Sequence, residues 1–277
     1  MEVWQPIRWA WENRDEVQRW LKILHRWFRG KKTEPGILIV GAGGTGKTTL
    51  ARLLAGEHDF LLDSPRAYQE SIAVERFVLN DDKDVEILAP PGQIHRRHAT
   101  WPDLEAEIVA GGFRGLVVVS AFGFHSIGNI SYKEHRLYKG SKARFLNRYL
   151  RDRRNEESAI LQRLEPSILG CPKKLWALTL VTKQDLWWNE RSIVESHYRG
   201  TAEDSYGQRL EAIAAKKASA SFRHECAFCS LAISNFETGT KEPLKSTTEG
   251  YDQQLQIDSL RRLFDTVHGL MKWEATR

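Results

Sequence analysis

A glycine-rich segment of the sequence has the residue types and the spacing that bind phosphate. Residues 41–49 read Gly-Ala-Gly-Gly-Thr-Gly-Lys-Thr-Thr and fit the pattern G-x-x-x-x-G-K-[ST] without a gap. Glycines let such a loop curl so that successive backbone N–H groups point at phosphate oxygens. The residues predicted to contact a nucleotide here are Gly41, Gly43, Gly44, Thr45, Gly46, Lys47, Thr48 and Thr49.

Two side chains of this loop add chemistry to the backbone contacts. Lys47 supplies a positive charge for the terminal phosphates, and we assign it to catalysis as well as to binding. The Thr48 hydroxyl is the expected Mg²⁺ ligand. A glycine-rich turn without a ligand is the alternative. The segment follows a predicted strand and opens a predicted helix, and this context favours a phosphate loop.

A second motif has the residue types that would bind the base of a nucleotide. Thr182-Lys183-Gln184-Asp185 follows a buried strand and resembles the [NT]-K-x-D motif of GTPases. An aspartate there can accept two hydrogen bonds from N1 and N2 of guanine, whereas adenine offers no such donor pair. No predicted strand ends in the carboxylate that a P-loop ATPase uses for metal and water. We therefore predict that Thr182, Lys183 and Asp185 bind guanine; the alternative is a surface lysine and aspartate capping the next helix.

The segment 87–93, Ile-Leu-Ala-Pro-Pro-Gly-Gln, resembles the D-x-x-G-Q switch element of the same enzymes. Gly92 is predicted to contact the γ-phosphate, and Gln93 is predicted to orient the attacking water as a catalytic residue. Ala89 stands where the element has an aspartate that helps to hold Mg²⁺ through water. This departure puts Mg²⁺ affinity or turnover in question. A surface turn formed by Pro-Pro-Gly is the alternative interpretation.

Two weaker signals complete the predicted site. Ser234 and Asn235 resemble part of an S-A-K element, whose backbone N–H groups read guanine O6 after a strand. The first switch needs a Ser or Thr before the second strand as a metal ligand. Ser71 is the preferred candidate, and Ser64 is the second choice.

Apolar runs and helical patterns alternate along the chain, which predicts a parallel sheet covered by helices. The predicted strands are Ile37–Val40, Val74–Leu79, Val85–Ala89, Leu116–Ser120, Leu175–Val181 and Cys226–Ser234. The predicted helices include Thr48–Ala55 and Gln254–Met271. Residues 1–35 are predicted to form a tryptophan-rich amphipathic helix and a linker, and residues 36–277 the main domain. Within that domain, 123–158 and 186–224 are interpreted as polar insertions.

In this order the motifs resemble the Ras-like small GTPases, and most of all the Arf-like and bacterial branch. The resemblance covers roughly residues 36–272. It implies an α/β fold of the P-loop GTPase type, with a six-stranded, mostly parallel sheet that contains one antiparallel strand and has helices on both faces. It also implies GTP or GDP with Mg²⁺, slow hydrolysis, and a two-state switch that is read by a partner protein or a larger assembly.

Composition excludes several other classes of protein. The 277 residues carry a net charge of +5, which is weakly basic, and no run is apolar enough to span a membrane. The start of the sequence has no secretory pattern, so we expect a cytoplasmic protein. The three cysteines are too few for a disulfide framework. His224, Cys226, Cys229 and Cys171 could form a zinc site, but buried thiols are the favoured interpretation.

Two regions suggest partners. The N-terminal helix has aromatic residues on one face and basic residues elsewhere, which suits protein packing or peripheral membrane contact. Segment 133–154 holds nine basic and two acidic residues with interleaved aromatics. It could contact nucleic acid, an acidic protein or anionic lipid, or be a solvated helix. Two alternatives to a GTPase switch therefore stay open: a GTP-binding adaptor without turnover, and a nucleic-acid-associated P-loop ATPase.

Overall fold

The computed structural model describes residues 34–56, 71, 73–78, 85–203, 205–217 and 220–275. The predicted N-terminal helix and the candidate Ser64 lie outside these residues. The strands are β1 (Glu34–Gly41), β2 (Glu75–Val78), β3 (Val85–Ala89), β4 (Gly115–Ser120), β5 (Leu175–Val181), β6 (Phe222–Phe228), β7 (Phe236–Glu237) and β8 (Pro243–Lys245). The α-helices are α1 (Lys47–Leu54), α2 (Ile94–Val109), α3 (Lys142–Gly170), α4 (Gln184–Trp187), α5 (Arg191–Arg199), α6 (Tyr206–Lys217) and α7 (Gln253–Ala275).

Within the described residues, six strands form one sheet in the order β2-β3-β1-β4-β5-β6. Strand β2 pairs with β3 in antiparallel orientation, and the other neighbouring pairs are parallel. This arrangement confirms the predicted fold class. The carboxyl ends of the five parallel strands lie at one edge of the sheet, so the loops that carry the predicted motifs are brought together there.

Successive side chains of the central strands pack against helices on opposite faces of the sheet. Ile37 and Ile39 of β1 pack in the cluster with α1 and α7, whereas Leu38 and Val40 pack in the cluster with α2, α3, α5 and α6. Successive side chains of a strand point to opposite faces, so a strand buried on both faces reads as a continuous apolar run. That is why β1 and β5 could be predicted from composition.

The last strand of the large sheet differs from the prediction. The sequence predicts Cys226–Ser234 as a strand, but β6 comprises Phe222–Phe228 and pairs with β5 along its whole length. Ser230 lies beyond the strand, with its hydroxyl oxygen 2.9 Å from the carbonyl oxygen of Ala232. The apolar residues after Phe228 therefore belong to a loop at the functional edge of the sheet.

The polar segment 123–158 is divided between a loop and the first half of α3, which connects β4 to β5. Two aromatic residues of its helical part point inward: Phe145 and Tyr149 are buried, with rings 5.7 Å apart, whereas Tyr132 and Tyr138 are half-buried. Arg136 and Arg153 both pair with Asp152 at the surface. The buried aromatic rings are not available to stack on nucleic-acid bases. Among the described residues, no helix is long and apolar enough to cross a membrane.

Candidate nucleotide-binding site

The phosphate loop between β1 and α1 has a backbone that requires glycine. Gly41, Gly44 and Gly46 have φ angles of 151°, 74° and 100°. A Cβ atom on Gly41 would lie 2.3 Å from the carbonyl oxygen of Val119, and one on Gly44 would lie 2.5 Å from the backbone nitrogen of Ser126. Any larger residue at these two positions would therefore collide with backbone atoms of neighbouring elements.

Lys47 is buried at the start of α1, and its side chain turns back to the glycine-rich loop. Its Nζ donates to the carbonyl oxygen of Ala42 at 2.9 Å. Burial, assisted by the nearby positive charge of Arg97, lowers the pKa of Lys47 to about 7. A Cβ atom on Gly92 would lie 2.3 Å from Lys47 Nζ. The predicted switch element at residues 87–93, called the second switch below, therefore meets the phosphate loop at this ammonium group.

The second switch is fixed at the start of α2. Gln93 is the residue that precedes the first turn of this helix, directly after Gly92. The Nε of Arg97 donates to the Gly92 carbonyl oxygen at 2.6 Å, and its guanidinium also pairs with Glu156 of α3. The sequence did not indicate Arg97, because a helical arginine has no local signal that separates it from a surface charge.

The base-recognition motif is connected to the phosphate loop through Thr182. Its hydroxyl contacts the carbonyl oxygens of Thr45 at 2.7 Å and of Ser120 at 3.1 Å. Lys183 adopts a left-handed backbone conformation with φ 58°, and its Nζ donates to the carbonyl oxygen of Phe124. Burial lowers the pKa of Lys183 to about 8. The two motifs predicted from separate parts of the sequence are thus in direct contact.

Asp185 is buried in the first turn of α4, two residues after Lys183. Its Oδ1 accepts from the Ser230 hydroxyl, and its Oδ2 accepts from the backbone N–H of Ser234 at 3.1 Å. Burial raises the pKa of Asp185 to about 6, and its hydrogen bonds with Ser230, with the Ser234 N–H and with its own backbone N–H oppose that rise. An ionised carboxylate has about four lone-pair sites, so Asp185 keeps acceptor capacity beyond these contacts. Ser230 was missed because the sequence placed it inside a strand.

The predicted pair Ser234 and Asn235 is divided by the structure. The Ser234 N–H contacts Asp185, whereas the Asn235 side chain accepts from the backbone N–H of Thr247 at 3.0 Å. Asn235 therefore holds a neighbouring loop instead of contributing its side chain to the Asp185 cluster.

The residues predicted as metal ligands also come together. The Thr48 and Ser71 hydroxyl oxygens are 3.4 Å apart. Both also contact the carboxylate of Glu75, at 2.6 Å from Thr48 and 3.0 Å from Ser71. Hydroxyl and carboxylate oxygens are hard ligands of the kind that Mg²⁺ prefers, so this donor set fits Mg²⁺. Glu75 was not identified from the sequence, in which it only begins a strand.

The cysteine and histidine residues considered for zinc have separate partners. His224 shares a hydrogen bond with Thr179 at 3.2 Å, and the Cys226 thiol donates to the carbonyl oxygen of Tyr198 at 3.6 Å. Cys171 and Cys229 are buried. Within the described residues, no group of three or more His, Cys, Asp or Glu side chains could hold a metal ion.

A buried carboxylate on α3 shapes the loop above the phosphate site. Glu157 Oε1 accepts from the backbone N–H groups of Ala121 and Gly123, and it lies 2.8 Å from Nε2 of His125. The Tyr198 hydroxyl donates to its other oxygen. Burial alone would raise the pKa of Glu157, but these hydrogen bonds lower it below its ordinary value. The next residue, Ser126, donates its N–H to the carbonyl oxygen of Gly44 at 3.3 Å, so this loop braces the phosphate loop.

We expect Glu157→Gln to lower the free energy of unfolding by about 2–4 kcal/mol, because the amide loses the charge that its donors solvate. Folding lowers the pKa of this carboxyl, so its stabilisation should be complete at neutral pH and fall as acid protonates it. Urea unfolding at neutral and acidic pH checks both effects. The matched control Glu165→Gln removes a carboxylate on the same helix that pairs with the exposed Lys216, and should cost less than about 1 kcal/mol. Equal losses in the two variants would contradict this assignment.

The sheet order and the glycine-rich loop that leads into α1 give the chain the α/β architecture that the sequence predicts. No protein-family model matches the sequence, and no curated protein matches it either. Solved structures that resemble the chain have low sequence identity to it.

Three solved structures illustrate the similarity. Toc33 from Arabidopsis thaliana, in complex with Mg²⁺ and GMPPNP, is 11% identical, with 94% of this chain and 92% of that chain covered and a TM-score of 0.46. The signal recognition particle receptor SRb-GDP from Chaetomium thermophilum is 11% identical, with 86% and 98% covered and a TM-score of 0.42. The small COPII coat GTPase SAR1 from Encephalitozoon cuniculi, in complex with GDP, is 13% identical, with 96% and 93% covered and a TM-score of 0.39.

Proposed function

We propose that the chain is a guanine-nucleotide-binding switch that binds GTP and GDP with Mg²⁺ and slowly hydrolyses GTP to control a partner protein or assembly. The observation that carries this proposal is the Thr182 hydroxyl, which joins the phosphate loop at Thr45 to the loop that holds Lys183 and Asp185. This contact sets a phosphate-binding backbone beside a buried carboxylate that can read guanine. Competition between GTP and ATP for binding to the protein tests the proposed preference for guanine nucleotides.

Each described part of the site has a role in the proposed reaction. The phosphate loop and Lys47 bind the phosphates, and Gly92 lies beside Lys47 where the terminal phosphate would be contacted. Thr48 and Ser71 would hold Mg²⁺, which neutralises the charge that develops on the phosphate oxygens. Gln93 would orient the attacking water from the start of α2. The basic segment 133–154 and the N-terminal region are proposed as partner-binding regions of a cytoplasmic protein that could also associate peripherally with a membrane.

We expect the isolated chain to hydrolyse GTP at or below about 10⁻⁴ to 10⁻³ per second, the scale of unstimulated switches. Gln93→Leu should abolish this activity and leave GTP affinity unchanged, because the glutamine acts on water and not on the nucleotide. Single-turnover hydrolysis checks the rate, and equilibrium binding checks the affinity. Gln208→Leu, at an exposed position on α6, is the matched control and should behave as the parent. A Gln93→Leu variant as fast as the parent would remove Gln93 from the mechanism.

A GTP-binding adaptor without turnover is the second candidate, and Ala89 is the observation that favours it. The adaptor would bind GTP with the same base selectivity but show no hydrolysis in a single-turnover measurement. A nucleic-acid-associated ATPase is the third candidate. The burial of Phe145 and Tyr149 leaves only the half-buried Tyr138 of the basic segment, and Tyr132 beside it, for contacts with bases. Equal competition by ATP would be needed to support this candidate.

A further inference from the structure

Strand β3 ends in Ala89, which is the position where the second switch lacks its carboxylate. In the antiparallel pairing of β2 with β3, the residue directly opposite Ala89 is Glu75. Directly opposed residues of an antiparallel pair have side chains on the same face of the sheet. Ala89 packs with α1 in the core, so Glu75 projects from the neighbouring strand toward the same helix. A carboxylate is therefore present one strand away from the position where it is missing.

The contacts of Glu75 place this carboxylate at the phosphate loop. One oxygen lies 2.6 Å from the Thr48 hydroxyl at the start of α1, and the other lies 3.0 Å from the Ser71 hydroxyl. Thr48 follows Lys47 directly, so its bond to Glu75 joins β2 to the first turn of α1 beside the glycine-rich loop.

Glu75 forms no ion pair within the part of the chain that the structure describes, whereas Glu86 on the adjacent strand pairs with Arg76 at 2.7 Å. Its two partners are the hydroxyl groups of Thr48 and Ser71. Both hydroxyls can rotate and present lone pairs to a cation instead of donating to the carboxylate. Two hydroxyl groups and one carboxylate, all within hydrogen-bonding distance of one another, are then available as oxygen ligands.

We infer that Glu75 is a Mg²⁺-site carboxylate of this chain and supplies from β2 the negative charge that Ala89 has removed from β3. It binds the ion with Thr48 and Ser71, either directly or through a coordinated water. This inference rests on the proposed function, because the ion is the one that accompanies a bound nucleotide. It also explains how the Mg²⁺ site can include a carboxylate although Ala89 has none. The carboxylate comes from β2 instead of β3.

The test compares GDP release from the parent protein and from Glu75→Gln, with Mg²⁺ and with EDTA. We expect equal release rates within about twofold in EDTA, where no ion is bound. With Mg²⁺ present, the variant should release GDP faster, and the Mg²⁺ concentration for half-maximal retention should rise by about 10- to 100-fold. Electron paramagnetic resonance of Mn²⁺ bound with GDP gives an independent readout of ion affinity and should show the same loss.

Two further variants sharpen the comparison. Glu86→Gln removes a carboxylate from the adjacent strand without touching Thr48, and its Mg²⁺ dependence should equal that of the parent. Glu75→Asp keeps the charge on a shorter side chain, so it should lie between the parent and Glu75→Gln, and it provides the test if the glutamine variant does not fold.

The outcomes separate this inference from the proposed function. Unchanged Mg²⁺ dependence in a folded Glu75→Gln or Glu75→Asp variant that still binds GDP would overturn the inference alone. Tighter Mg²⁺ binding in the variant would also overturn it, because Glu75 would then compete with the ion for Thr48. A parent protein that binds no GDP even in EDTA would overturn both the proposed function and the inference that rests on it.

Discussion

GTP and GDP should bind about 10²- to 10⁴-fold more tightly than ATP, because two hydrogen bonds from guanine to an ionised carboxylate are worth about 1.5–3 kcal/mol each and adenine makes neither. The carboxylate is that of Asp185, which is buried and held by Ser230 and Ser234. Its unused lone pairs are the acceptors. Competition of unlabelled GTP, GDP and ATP against a fluorescent guanine nucleotide measures the ratio. Equal competition by ATP would refute the guanine assignment.

Asp185→Asn should shift this preference toward xanthosine nucleotides. The amide can donate to the second carbonyl of xanthine, where the carboxylate only accepted from guanine. The matched control is Asp258→Asn, which changes an exposed aspartate that pairs with Arg261 on α7 and should leave the base preference unaltered. A folded Asp185→Asn variant that keeps the parental preference for GDP would show that another residue reads the base.

Lys47→Ala should remove most of the affinity for nucleotides. A charge-assisted contact with phosphate is worth about 1.5–3 kcal/mol, which corresponds to a loss of about one to two decades in affinity. In the structure the Lys47 ammonium group already contacts the Ala42 carbonyl at the base of the loop, so it is positioned before the ligand arrives. Isothermal titration with GDP measures the loss, and Lys216→Ala, at an exposed ion pair, is the control.

Thr48→Ala gives a second measure of the same loop. It should weaken chiefly the Mg²⁺-dependent part of GDP binding, since the hydroxyl serves the ion and not the phosphate. If Lys47→Ala and Thr48→Ala both fold and both bind GDP as the parent does, the glycine-rich loop has only a structural role.

The parts of the fold that were predictable are those in which local composition and burial agree. Strand β5 was predicted with its observed bounds, because a strand covered on both faces must be apolar throughout. Strand β6 was predicted too far along the chain, since the apolar residues continue after Phe228. The chain leaves the sheet there, and the Ser230 hydroxyl bonds to Asp185, a residue 45 positions earlier. Such a long-range bond has no trace in local composition.

The residues of the candidate site also fall into two groups, those that local sequence predicts and those that it does not. Residues 41–49 and Thr182 to Asp185 could be found because each motif is contiguous and its backbone geometry depends on adjacent residues. Glu75 could not be found, because its relation to Thr48 depends on the pairing register of β2 and β3 and on the position of α1. A residue that reaches the site only through strand pairing and helix packing has no local sequence pattern that identifies it. Its role can be inferred only from the folded structure.

The aromatic residues of segment 133–154 show the limit of reading composition alone. Basic residues with interleaved aromatics are typical of nucleic-acid-binding surfaces, but the same alternation also describes an amphipathic helix. Here the helical period places Phe145 and Tyr149 in the core and leaves the basic residues outside. The charge of this surface is retained, but two of the three aromatic rings interleaved in the segment are in the core and are not available for stacking on bases.

The single hydroxyl of Thr182, shared between the carbonyl oxygens of Thr45 and Ser120, makes the two ends of the nucleotide site energetically dependent on one another. Groups that share a hydrogen-bond partner do not contribute additively to binding. If the proposed function is correct, ordering the glycine-rich loop around a pyrophosphate would lower the entropic cost of ordering the segment that reads the base, and the reverse would also hold. We therefore expect a whole nucleotide to bind more tightly than the separate affinities of its base and its phosphates would give, which is positive cooperativity within a single ligand.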